Sequence, residues 1–157
     1  MGVQLGTQHK GFGELQSVSD LLKKLEYDLS RVVASPTDTY AAFDFFVTAE
    51  HMIDWLHPTD VKKRKELRTQ VRLLEIVSLI ANGNKHFQAT AKQHKSVENI
   101  TEEHDGFSAS AFSTKCFSPK AFKFAGLNIK LDDGSLIHAT ALAQDVYEYW
   151  VGVIKTA

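Results

Sequence analysis

Two prolines, Pro36 and Pro58, punctuate the first half of this 157-residue chain and divide it into segments with helical patterning. Proline lacks an N–H and crowds the preceding residue out of helical geometry, so a helix that reaches either position stops there. Before Pro36, Leu21, Leu22, Leu25, Leu29, Val32 and Val33 recur at helical spacing, with Ser17 or Ser19 as cap and Asp20 in the first turn. This predicts a helix from about Val18 to Ala34. Between the prolines, Thr37 or Asp38 caps a second helix whose Tyr40, Phe43, Phe46, Val47, Ile53 and Leu56 mark a wide buried face. After Pro58, Thr59 or Asp60 opens a third helix. Its first half is basic (Lys62, Lys63, Arg64, Lys65, Arg68, Arg72) and its second half, Leu73 to Ala81, is apolar.

From Gln93 to Gly106 the chain turns polar, with Glu98, Glu102, Glu103 and Asp105, which predicts a surface connection. Beyond it the period changes. Phe107 to Phe117 and Ala121 to Leu131 alternate, and Asp132-Asp133-Gly134-Ser135 is a turn signal before Leu136 to Ala139. Two or three antiparallel strands are expected. Ala141, Ala143, Val146, Tyr147, Trp150, Val151 and Ile154 then form the apolar face of a last helix. Residues 1–14 hold four of the nine glycines and read as a flexible lead-in. The fold class is therefore mainly α (α+β). A four-helix bundle over 15–157 forms a single domain, with a β-hairpin or small antiparallel sheet at about 107–139, before the last helix.

A chain that is 43% apolar can bury a core without staples. Its net charge of -1 gives no global pull toward DNA or an anionic membrane, so an RNA or protein partner would need a local patch. One cysteine, Cys116, excludes an internal disulfide framework and suits a reducing, cytoplasmic setting. Neither a membrane-spanning run nor a signal-peptide stretch is legible, so no membrane association is expected. Phosphate loops, nucleophile elbows and paired-carboxylate motifs are missing from the sequence.

The residues with chemical potential fall in two places. Near the end of the third helix, Ser78, Asn82 and His86 lie at i, i+4 and i+8 on one face, with Lys85 beside them. Asn82-Gly83-Asn84 is a poor helix former, and such local conflict accompanies functional positions. The plainer reading makes Gly83 or Asn84 a C-terminal cap. In the second helix, Thr48, Glu50, His51 and Asp54 interrupt apolar neighbours. His51 and Asp54 are one turn apart, so the carboxylate can fix the imidazole tautomer. A solvated face is the plainer reading there. His51, Asp54, His57, His86, His94 and His104 are donor types without a diagnostic spacing, so no metal and no cofactor is predicted.

The segment Ala81-Asn82-Gly83-Asn84-Lys85-His86 resembles the Arg-Asn-x-x-x-His signature of HEPN-like helical domains, with Ala81 standing at the arginine position. Arg72 lies fourteen residues before His86, about 20 Å along a helix, too far to replace that arginine. In that family, bundles commonly pair so that Arg and His from two protomers form a ribonuclease centre of toxin-antitoxin or phage-defence systems. The resemblance implies a homodimeric, catalytically degenerate binding module for RNA, a protein or a small ligand. Its pocket would draw on Thr48, His51, Asp54, Asn82, Lys85 and His86. The alternative it implies is an active ribonuclease with His86 as general acid or base, Lys85 stabilising phosphate charge and Asn82 orienting the scissile group.

Overall fold

Helix boundaries follow the caps closely. In the computed structural model, which describes residues 10–85, 97–103 and 126–156, α1 spans Val18–Ala34 and α2 spans Thr39–Leu56. The Ser17 hydroxyl accepts from the Asp20 N–H at the start of α1, and the Asp38 carboxylate accepts from the Tyr40 and Ala41 N–H groups at the start of α2. Before α1, Phe12 and Leu15 exchange two backbone hydrogen bonds of 2.9 Å, so the described end of the predicted lead-in is a tight turn.

The predicted third helix is two helices, α3 (Val61–Gln70) and α4 (Arg72–Lys85), which is a correction to the continuous reading. Val71 between them is extended, with φ -105° and ψ 103°. The two halves have to face different things. Leu74, Val77 and Ile80 of α4 turn into the core, whereas α3 has no buried residue. A single straight rod cannot present both faces correctly, and the break falls at a β-branched residue that tolerates extended backbone. In turn, α4 runs through Gly83 and Asn84 rather than ending there, so neither residue caps it.

The sheet has three antiparallel strands in the order β1-β2-β3: β1 (Val97–Glu103), β2 (Gly126–Leu131) and β3 (Leu136–His138). β1 lies inside the stretch predicted as a polar connection, a second correction; it pairs with β2 from Glu103↔Gly126 to Val97↔Leu131 with one register shift. The pairing, rather than any apolar alternation of its own, makes it a strand. Residues 107–117 and 121–125, where strands were also expected, lie outside the described residues. The turn signal holds. Gly134 sits at φ +81° and donates to the Leu131 carbonyl at 3.0 Å, while Asp133 accepts from the Ser135 N–H. Gly126 lies against the His138 ring: a Cβ there would come within 2.5 Å of it, so a larger residue would turn the imidazole aside.

The last helix, α5 (Ala139–Thr156), closes the core against α1, α2 and the sheet. Trp150, Phe45, Leu25, Met52, Ile53, Leu74 and Ile129 are fully buried, and Phe45 meets Phe46 edge to face at 5.3 Å. In α2 the buried stripe is Ala41, Ala42, Phe45, Phe46, Ala49, Met52 and Ile53. Tyr40 and Phe43, expected inside, are exposed. With apolar residues around most of α2, periodicity could not choose the inward stripe. No helix among the described residues is long and apolar enough to cross a membrane.

Candidate functional site

α3 is an unusual helix to find attached to a core. It carries Lys62, Lys63, Arg64, Lys65 and Arg68 against one acidic residue, Glu66. Asp60 caps it by accepting from the Lys63 N–H at 2.8 Å. Only Leu67, with Val71 just beyond the helix, packs partly against the core cluster. Most of its attachment is ionic.

The spacing explains the attachment. Glu50 and Asp54 are four apart on α2, Arg64 and Arg68 are four apart on α3, and i, i+4 residues share a helix face. When the two faces meet, Arg68 Nε donates to Glu50 Oε1 at 2.7 Å and its Nη2 donates to Asp54 Oδ1 at 3.2 Å. Arg64 Nε lies 3.5 Å from the same Asp54 oxygen, and Arg64 Nη1 donates to the carbonyls of His57 and Pro58 at 3.2 and 3.1 Å. From α4, Ser78 Oγ donates to Glu50 Oε1 at 3.3 Å. Burial pushes the Glu50 carboxyl above the ordinary range, with Arg68 and Ser78 partly offsetting that and Asp54 adding to it. Burial alone would weaken the Arg68 charge, yet Glu50 and Asp54 hold its pKa above the ordinary value.

This network forms one wall of a cleft of ≈ 410 Å³ lined by Asp54, Val61, Arg64, Lys65, Arg68, Thr69, Glu75, Ser78 and Leu79. Its volume is that of a small-ligand site, with charged walls and two apolar patches, Val61 and Leu79. On the outer side of α3, Lys63 and Lys65 make no ion pair among the described residues, and Lys62 lies 3.9 Å from Glu66.

A second network lies between α1 and α2. The Asp28 carboxylate, 0% exposed, accepts from Lys24 Nζ and, at 2.7 Å, from Thr48 Oγ1. Arg31 lies 3.7 Å from its other oxygen and pairs with Asp44 at 2.6 Å.

The structure therefore brings together only part of the predicted pocket. Of its residues only Asp54 lines the cleft; Ser78, from the face it shares with Asn82 on α4, lies there too and is linked to Asp54 through Glu50 and Arg68. His51 is exposed, and Asp54 pairs with the two arginines rather than with the imidazole. Thr48 is spent on Asp28 inside the other seam and does not line the cleft. Asn82 is half-buried on α4 but is not among the lining residues, and Lys85 is the last residue of that helix. His86 lies outside the described residues, as do Cys116, His94 and His104. Ala81, at the position where the HEPN-like signature has arginine, is 8% exposed. No group of residues suited to a metal ion occurs among the described residues. In the sequence, Arg64 and Arg68 belong to a basic run, Lys62 to Arg72, that reads either as a phosphate contact or as a solvated face, and their pairing with α2 was missed; the matching i, i+4 pairs on two helices were the available signal. No protein family, curated protein or solved structure matches the chain.

Proposed function

We propose that this chain is a HEPN-like helical binding module of the cytoplasm with a degenerate catalytic motif, and that it holds single-stranded RNA along the outer face of α3. The observation that carries this reading is α3 itself: a helix with no buried residue and five basic side chains, pinned by Arg64 and Arg68 so that Lys62, Lys63 and Lys65 face solvent. Exposed lysines on a fixed helix suit a phosphate backbone, which rewards local positive charge and asks for no base-specific readout. Overall charge is near neutral, so the attraction is local. The buried Ala81 supports binding over cleavage, because the guanidinium that the ribonuclease signature supplies has no counterpart there. The HEPN-like resemblance also favours a homodimer.

The test is a fluorescence anisotropy titration of the protein with a labelled RNA of about twelve nucleotides over a salt series. Binding that weakens with salt, with a slope that falls by up to about 2 in Lys62→Gln/Lys63→Gln/Lys65→Gln, is the expected result. Binding unaffected by the triple variant overturns it. Cleavage of the RNA, lost in His86→Ala, would replace it with the ribonuclease reading.

A further inference from the structure

We propose that Arg64 and Arg68 are a second, latent phosphate-binding pair, masked by Asp54 until RNA engages the exposed lysines of α3; this rests on the RNA reading of α3. A guanidinium offers five N–H donors in a planar fork, and neither arginine is saturated by its partners. Arg68 spends Nε on Glu50 and Nη2 on Asp54, leaving Nη1. Arg64 spends Nη1 on two carbonyls and turns Nε toward Asp54, leaving Nη2. Both line the cleft, so an anion can approach them without unfolding α3.

The hold of Asp54 is the weak one. Its side chain is 44% exposed and one oxygen, Oδ1, serves both arginines at 3.2 and 3.5 Å. A shared, half-hydrated carboxylate at those distances is a poor competitor for a phosphate, which can engage a guanidinium through two oxygens at once. Glu50 is different. Its 16% exposed side chain and 2.7 Å bond keep Arg68 anchored while Asp54 is displaced. Lys65 connects the two sets, since it lies on exposed α3 and also lines the cleft. A backbone that reaches Lys65 is thereby led to the arginines, and binding at the exposed lysines raises the local concentration of phosphate at the cleft. The carboxylate of Asp54 thus acts as an internal competitor, lowering affinity for short or incidental anions and leaving the second contact to a strand long enough to span both.

Affinity and salt slope for the same labelled RNA, measured on Asp54→Asn, test this. The pair predicts tighter binding by about fivefold and a slope steeper by about 0.7 for each arginine released. It also predicts that the gain disappears when Asp54→Asn is placed in an Arg64→Gln/Arg68→Gln background. A melt followed by circular dichroism checks that each variant is folded; if the double arginine variant is not, Arg64→Gln alone serves, and the gain should shrink there. Wild-type binding with no change in Asp54→Asn overturns the latent pair and leaves binding at the lysines of α3 standing. A gain that persists in full without the arginines also overturns it, as loss of a repelling charge would then suffice. Absence of RNA binding by the wild type, whether or not Asp54→Asn binds, overturns both proposals.

Discussion

The two seams of α2 use the same chemistry to different ends. Along its contact with α1, Asp28 is wholly buried and is held by Lys24, Thr48 and the nearby Arg31. Along its contact with α3, Glu50 and Asp54 hold Arg68 and Arg64 beside an open cleft. Carboxylates and basic side chains meet in both, yet only the second network is reachable by a ligand. Closure by apolar neighbours makes the difference. Leu21, Leu25 and Val32 of α1 bury the first seam, whereas α3 brings no buried residue to the second. An ion pair under an apolar cover fixes a register, and one under a charged cover stays exchangeable.

The largest expected effect lies in the closed seam. Asp28→Ala leaves the Thr48 hydroxyl without its buried acceptor and strips Lys24 of its partner, and it should cost about 3 kcal/mol in a urea melt. That is the low end for breaking a buried pair, because Lys24 can reach water. A loss below about 1 kcal/mol would erase the contrast between the seams. Next comes Arg68→Gln, which leaves the Glu50 carboxylate without its main counter-charge and should cost about 2 kcal/mol, lowering the urea midpoint at neutral pH.

Acid probes the open seam through Glu50. Burial raises the folded-state pKa of Glu50, so its protonated form is the one favoured by folding. The associated stability is present at acidic pH and is lost as pH rises through the raised folded pKa. Relative to Glu50→Gln, which carries no such titration, the wild type should therefore gain stability as pH falls through that window; a pH-independent difference would contradict the assignment. Asp20 has the opposite sign. The Ser17 hydroxyl and the Gln16 N–H lower its pKa, so its contribution is present above the ordinary carboxylate range and is lost as pH falls through the lowered value. Its place at the surface, where solvent screens the charge, makes this effect small, and Asp20→Asn should flatten the acid limb of the stability profile only slightly.

Helix ends were readable because their causes are local. Ser17, Asp38 and Asp60 each cap where a short polar side chain precedes an apolar or charged helix, and the Asp132 to Ser135 turn announces itself through Gly134. The break at Val71 was not readable, since each half alone is a plausible part of one helix and only the competing demands of the core and of Glu50 and Asp54 divide it. β1 was hidden by its polar composition. At the site, Asp54 and Ser78 were legible as polar interruptions of apolar helices, while their partners on α3 were hidden in a basic run that resembles any solvated face. His51 and Asp54 have the spacing of a pair, but a fixed guanidinium outcompetes an exposed imidazole for the carboxylate.

The account turns on which lysines meet RNA, and lysine acetylation footprinting by mass spectrometry, with and without saturating RNA, reads that directly. Protection of Lys62, Lys63 and Lys65, with Lys23 and Lys24 of the closed side labelled equally in both states, is the predicted result. Equal protection on both sides, or protection confined to Lys23 and Lys24, would contradict it.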